Sequence, residues 1–459
     1  MKTNNVVYKL IHSQEMVQYM WRYTLHMQAT QIPCAVAFDE ELDFNILARA
    51  VNEEIKRNDC LRLRLTREIG GIREYFLDSF KLDKILLKSF STKEEQEAFL
   101  DADASKKLDV FGGETFRVIF FRSYNGKSGI YINVSHMIMD GVATFIFFRD
   151  LMEVYDALKS GSPMPRPLSK YEDIIKREQN DPELEARLEK EAEELNNWVI
   201  KDGKIHFSLI SGDKVLNKHR RLLHSKKLNV PFVYMPLNDK THFVKMRVGS
   251  EESGRITRFI EENHLSPEWV IQLGFRIMYS KLCDNKNDTL FWVLCPRRKT
   301  VKEKRCGGTL ASPMPWREVL PNDLTFFDAV KKLAEDQAFL FRYSDVPFTT
   351  VRANELKHFR LTLLQSANSM MFSYLPLEKD TFGNRSYEYL GFNFGHYVMP
   401  IYTITMRDHG TGDYVFSYIH RLWLSEDKDV YRFHEGALAA ILKGIENPEK
   451  TVGEILEEI

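Results

Sequence analysis

A chain of 459 residues exceeds the usual size of one compact core, so two lobes of roughly 150–250 residues are expected. With 44% hydrophobic residues there is enough apolar material for both cores. The 64 Lys and Arg against 65 Asp and Glu leave a net charge of -1, which excludes a global field aimed at nucleic acid or an anionic membrane.

The opening "MKTNNVVYKLIHSQE" has one early lysine but no uninterrupted apolar core and no small-residue cleavage signal. No later run approaches ~20 apolar residues. The expectation is a soluble, unexported, cytoplasmic protein with no transmembrane segment. Five cysteines, Cys34, Cys60, Cys283, Cys295 and Cys306, are odd in number, scattered and without a Cys-x-x-Cys pair. That pattern argues for reduced thiols and against a disulfide framework or a zinc site.

Strand-like and helix-like patterns alternate along the chain, predicting mixed α/β lobes, and no internal repeat is visible. In "FNILARAVNEEIKRND", Ile46, Leu47, Ala50, Val51 and Ile55 share one helical face. "RVIFFRSY" and "SGIYINVS" read as strands joined by the turn-forming "NGK". Then "GVATFIFFRDLMEVYDALKSG" is apolar at helical spacing and ends in a glycine suited to a helix C-terminus. Proline and serine in "SGSPMPRPLSK" mark a break.

Beyond the break, "DPELEARLEKEAEELNNW" predicts a charged helix between lobes, with Asp181 as N-cap, Pro182 at the first helical position, and Leu184, Leu188, Leu195 and Trp198 as its stripe. The basic stretch "DKVLNKHRRLLHSKK" (213–227) reads as a solvated loop rather than a phosphate-contacting surface. "SPEWVIQLGFRIMYSKL" starts a helix at Ser266 and Pro267, followed by the strand "DTLFWVLC" and the helices "FFDAVKKLAEDQAFLF" and "YRFHEGALAAILKGI". The expected division is a first lobe over 1–165, a linker with a bridging helix over 166–203, and a second lobe over 204–459.

"INVSHMIMDGVAT" therefore places His136, Asp140 and Gly141 at a strand–loop–helix junction. Three readings compete for His136. It can be a buried, hydrogen-bonded core histidine. It can pair with Asp140, four residues on, as a metal ligand, although a catalytic zinc needs about three protein ligands and no further cluster is nearby. Or it can be a general base, because an imidazole with an ordinary pKa near ~6.5 offers a neutral, proton-accepting form at cellular pH. Gly141 would then let a substrate approach the backbone closely.

"SHMIMDG" resembles the H-H-x-x-x-D-G signature of the condensation domains of nonribosomal peptide synthetases and of related CoA-dependent acyltransferases. "HSQEMVQYMW" is similar to the family's S-x-A-Q-x-x-x-W opening, "RNDCLRLRL" to its R-H-E-x-L-R-T-x-F turn, and "KYEDIIKRE" to its Tyr-x-Asp segment. Later, "CGGTLASPMPWR" resembles G-x-F-V-N-T-x-P-L-R, "SDVPF" resembles H-Q-D-x-P-F, and "ENPEKTVGEI" resembles the usual ending. The matches keep the family's order and span essentially the whole chain.

The resemblance implies two lobes, each like chloramphenicol acetyltransferase, in a V-shaped pseudo-dimer with a central tunnel. An acyl thioester on a phosphopantetheine arm would enter from one face and an acceptor from the other. It makes His136 the catalytic base and requires no metal and no covalent acyl-enzyme. It makes Asp140 the residue that fixes the loop through an arginine of the second lobe, Arg297 or Arg298 in "VLCPRRK". It places Ser135 and Gly141 beside the donor tunnel, and backbone N–H groups around Gly141 are candidate oxyanion donors. Two departures stand out: Ser135 replaces the first signature histidine, and "TLASPMPWR" lacks the asparagine of its motif.

No adenylation segment fits in 459 residues and no L-G-G-x-S carrier motif is present. The expectation is a stand-alone acyltransferase forming an ester or amide, with no bound cofactor. Its cosubstrate would be acyl-CoA or a separate acyl or peptidyl carrier protein, as in secondary metabolism. The alternative is a non-catalytic module of the same fold that recruits a carrier protein or a partner enzyme.

Overall fold

The computed structural model describes residues 6–201, 206–283, 286–368, 370–376, 381–392, 395–408 and 410–459. The first five residues of the opening stretch and the boundary expected at 203–204 lie outside them. The strands, in chain order, are β1 (Val7–Lys9), β2 (Gln31–Phe38), β3 (Leu63–Glu68), β4 (Gly71–Phe76) and β5 (Leu86–Ser89). Then come β6 (Phe116–Arg122), β7 (Ser128–Ser135), β8 (Thr241–Arg247), β9 (Asp288–Cys295) and β10 (Ser312–Val319). The last five are β11 (Met370–Leu375), β12 (Thr381–Asn384), β13 (Tyr387–Gly391), β14 (Ile401–Arg407) and β15 (Tyr414–Arg421).

The chain forms two compact units, and neither is one continuous piece. The first comprises Met1–Ala186, Pro296–Ser312 and Glu378–His396; the second comprises Arg187–Cys295, Pro313–Leu377 and Tyr397–Ile459. This differs from the expected linear division in two ways. Two late segments return to the first unit, and most of the expected linker is built into it: Tyr171 is fully buried and donates its hydroxyl to the Thr309 carbonyl at 2.9 Å.

In the first unit, a sheet ordered β13-β2-β7-β6-β5 stands beside a small antiparallel sheet, β1-β4-β3. The β6–β7 hairpin forms as its sequence predicts. Gly126, at φ 84, makes the turn that "NGK" requires, and Arg122 pairs with Ser128. Ala35 and Ala37, Ile119 and Phe121, and Tyr131 alternate onto one face of the larger sheet. There they enclose a core with Leu100 and Ala104 from the helix Lys93–Ala104.

The helix Phe44–Arg57 buries Leu47, Ala50, Val51 and Ile55 as its spacing predicts, and it also buries Glu54. Burial first, then the neighbouring Asp150, pushes that carboxyl well above its ordinary value. All five cysteines are buried, and none of them forms a disulfide. Burial pushes Cys34 and Cys306 up to about 12, so these thiols are inert at neutral pH.

The second unit is built on a sheet ordered β10-β9-β11-β14-β15-β8. Phe275, from the helix Pro267–Leu282 that Ser266 caps, is the hub of its aromatic core; Phe433, Phe372 and Phe416 lie 5.1, 5.7 and 5.9 Å from its ring. Two local expectations are corrected. The basic stretch expected as a loop contains the helix Lys214–Leu222, because Val215, Leu216 and His219 form a buried face beneath its charges. The charged helix starts at Leu184 rather than at Pro182, although the Asp181 carboxylate still accepts from the Glu183 N–H at 3.0 Å. Its buried stripe is Leu188, Ala192, Leu195 and Val199. No helix among the described residues is long and apolar enough to cross a membrane.

Candidate active site

Ser135 closes β7, residues 136–138 form a turn, and Asp140 caps the helix Gly141–Ser160, accepting from the Ala143 N–H at 2.8 Å. An aspartate here satisfies a donor that every helix start leaves open.

The turn is held largely through its backbone. The His136 N–H donates to the Thr30 carbonyl at 2.9 Å, and the His136 carbonyl accepts from the Thr309 hydroxyl at 2.6 Å. The Met137 carbonyl accepts from the Gln14 side-chain amide at 3.0 Å. That amide also donates to Glu74, a fully buried carboxyl that burial lifts to about 8. Ser135 is buried as well, and its hydroxyl accepts from the Met137 N–H at 3.3 Å.

Asp140 is fully buried. Of the two candidate arginines, Arg298 grips it in a two-pronged pair, Nη1 to Oδ2 at 2.8 Å and Nη2 to Oδ1 at 3.0 Å. The Leu310 and Ala311 N–H groups donate to the same Oδ2 at 2.7 and 2.9 Å. Burial alone would raise this carboxyl; the Arg298 charge and the converging donors overcome it and hold the group below its ordinary value.

Arg297 adopts a left-handed backbone, φ 51, and donates instead to the Ser13 hydroxyl at 2.8 Å. Arg298 is expected from a second lobe, but its segment belongs to the first unit. Its Nη2 also reaches the Gly308 carbonyl at 2.8 Å. A Cβ on Gly308 would sit 2.1 Å from the Tyr171 ring, so a side chain there would force this contact apart.

These contacts bear on the three readings of His136. Both Asp140 oxygens are engaged by N–H donors, and His136 lies on a turn rather than on a helix with Asp140, so the two do not form a ligand pair. His136 is partly exposed as a residue, while its Nδ1 is buried without a hydrogen-bond partner, unlike that of a satisfied core histidine. Burial lowers the imidazole below its ordinary value, against opposing pulls from Asp140 and from the residue's own backbone. The ring is therefore neutral at pH 7 and able to take a proton.

Gln14, Glu74, Thr309, Leu310 and Ala311 are not among the residues singled out from the sequence. Gln14 and Thr309 lie in stretches that resemble family motifs. Leu310 and Ala311 act through backbone N–H groups, which carry no residue signature.

Residues 4–193 match the family model of the condensation domain. One of the plipastatin synthase subunits of Bacillus subtilis (strain 168) is 22% identical over 465 residues, covering 98% of this chain; the chain spans 17% of that protein. The first condensation domain of the calcium-dependent antibiotic synthetase, solved with a substrate analogue, superposes with a TM-score of 0.80 at 15% identity, over 98% of each chain. In sequence over residues 4–193, and in fold over nearly its whole length, the chain is similar to condensation domains.

Condensation domains are acyl and peptidyl transferases. A second condensation domain, a variant of the starter domain of rhizomide synthetase in complex with C8-CoA, superposes with a TM-score of 0.78 at 10% identity, over 98% of this chain and 97% of that one. The condensation-domain neighbours share the chloramphenicol acetyltransferase-like fold, and this chain shares it with them.

Proposed function

We propose that the protein transfers an acyl group from a phosphopantetheine thioester to a hydroxyl or amine, with His136 as the general base. The observation that carries this reading is a neutral imidazole on a turn fixed by Thr30, Thr309, Gln14 and the buried Asp140–Arg298 pair. The likeness to a condensation domain solved with C8-CoA supports a pantetheine donor, on CoA or on a carrier protein.

With Nδ1 buried, Nε2 is the nitrogen that meets substrate. It takes the proton from the acceptor as the acceptor's lone pair bonds to the thioester carbon and the carbonyl electrons move to oxygen. Collapse of that adduct breaks the C–S bond, and the proton passes to the departing sulfur. Asp140 already occupies the Ala143 N–H, which leaves the Gly141 and Val142 N–H groups, at the helix start, to face the oxyanion. Proton transfer of this kind accounts for about 10²–10⁴-fold in rate, and holding both substrates in one site contributes further.

The test is thiol release and product mass across acyl-CoA and acyl-pantetheine donors with alcohol and amine acceptors. With an alcohol, which does not ionise between pH 4 and 8, kcat/KM should fall on the acid side with an apparent pKa below 6.5, the ordinary value from which burial depresses His136. A pH-independent rate through that range removes His136 as the base. No thioester consumption with any pair favours the recruiting module, the reading to which Ser135 in place of the first histidine lends support.

Gly141 gives a second prediction, about the donor's path. Its φ is not positive and an added Cβ meets nothing within 4 Å, so Gly141→Val should melt within about 0.5 kcal/mol of wild type. If a pantetheine arm passes the Gly141 backbone, the same variant should raise the donor KM at least about tenfold and leave the acceptor KM unchanged. Wild-type donor saturation would move that path elsewhere.

A further inference from the structure

The second unit holds a cluster of ligand-capable side chains remote in sequence from the His136 turn. His242 on β8 and His420 on β15 are direct partners in antiparallel register, so their side chains leave the sheet on the same face. Asp427, the first residue of the helix Asp427–Glu446, meets both: its Oδ1 lies 2.8 Å from His242 Nδ1 and 2.9 Å from His420 Nε2. The ligand atoms of all three residues lie within 4.8 Å of one another.

The two histidines differ in their surroundings. His420 is fully buried, and its other nitrogen, Nδ1, lies 2.9 Å from Ser425 Oγ. A second hydrogen bond on the far nitrogen is how proteins fix a metal-binding imidazole in one tautomer and aim the near nitrogen at the ion. The Ser425 hydroxyl in turn donates a hydrogen bond to the Arg421 carbonyl at 3.5 Å. His242 is half exposed on β8, the edge strand of the sheet, which gives an ion a way in from solvent.

We propose that His242 Nδ1, His420 Nε2 and the Asp427 carboxylate bind one divalent ion of the zinc class, with water completing the shell. Imidazole with carboxylate suits zinc, nickel and copper(II), whereas calcium and magnesium favour all-oxygen sites. Tetrahedral zinc, with bonds of about 2.0–2.2 Å, sets its ligand atoms about 3.3 Å apart. The present 2.8 and 2.9 Å contacts therefore open by only about half an ångström to admit it.

Each ring binds neutral. His242 carries its proton on Nε2 toward solvent, and His420 carries its proton on Nδ1 toward Ser425. The ion thus ties the sheet edge to the start of the last long helix, and because it competes with protons for both imidazoles its affinity falls as pH falls.

The experiment uses the full chain without an affinity tag, stripped with EDTA and titrated with CoCl2 and then ZnCl2. One equivalent of cobalt should bind with visible ligand-field bands, zinc should displace it, and zinc should raise the melting temperature. His242→Ala, at the exposed ligand, should abolish the bands and the zinc-dependent rise. Ser425→Ala should weaken binding about 10–100-fold. Melts of the metal-free variants report folding separately. Bands of equal intensity in wild type and His242→Ala, or no saturable cobalt binding by wild type, would overturn the proposal without bearing on acyl transfer at His136.

Discussion

Asp140→Ala should destabilise the first unit by about 3–5 kcal/mol, the range for stripping one partner from a buried ion pair, which corresponds to a fall in melting temperature on the order of 10 °C. Arg298 keeps its charge in an environment where its side chain is 4% exposed, and the N–H groups of Ala143, Leu310 and Ala311 lose their acceptor together. Each unsatisfied buried donor adds to the loss.

Replacing both partners, Asp140→Ala with Arg298→Met, should recover part of the stability, because no unpaired charge is left behind. The pH dependence has a definite sign. Asp140 is depressed in the folded state, so its contribution is complete above its ordinary value of 3.8 and is lost as pH falls through the lower folded value. Thermal and denaturant melts of the cycle decide the matter. A single variant as stable as wild type would show that the pair does not hold the turn.

His136→Ala should act in the opposite way, sparing the fold and removing the chemistry. The bonds that pin this residue run through its backbone N–H and carbonyl, to Thr30 and Thr309, and alanine keeps both. The lost imidazole has no hydrogen-bond partner at its buried Nδ1. The expected result is a melting temperature near wild type with transfer slowed by about 10²–10⁴-fold, or about 3–5 kcal/mol of barrier. The measurement is single-turnover acyl transfer with a validated donor and acceptor. A rate within a few-fold of wild type would assign His136 a structural part only.

What the sequence revealed depended on how local the cause was. The β6–β7 hairpin and the helix after it were legible because "NGK", Asp140 and Gly161 are turn and cap residues acting within a few positions of themselves. The helix Lys214–Leu222 was not legible, since three buried residues among many charges give a weak stripe. At the site, the sequence offers Asp140 two arginines, and its pairing with Arg298 rather than Arg297 goes with a left-handed backbone at position 297. No local pattern encodes that turn. Much of the remaining support runs through main-chain N–H and carbonyl groups, which every residue but proline carries alike.

The return of Pro296–Ser312 and of β13 to the first unit has a consequence for how the site comes into being. A fragment ending near residue 193, where the family match ends, would contain His136, Asp140 and Gly141. It would lack Arg298, Thr309, Leu310, Ala311 and the edge strand β13 that lies beside β2. On the ribosome the interval is just as concrete. Arg298 follows Asp140 by 158 residues, roughly 10–30 s of synthesis at typical elongation rates. Throughout that interval the nascent Asp140 has only the Ala143 N–H of its mature donors, so the turn that bears His136 is made early and sets late.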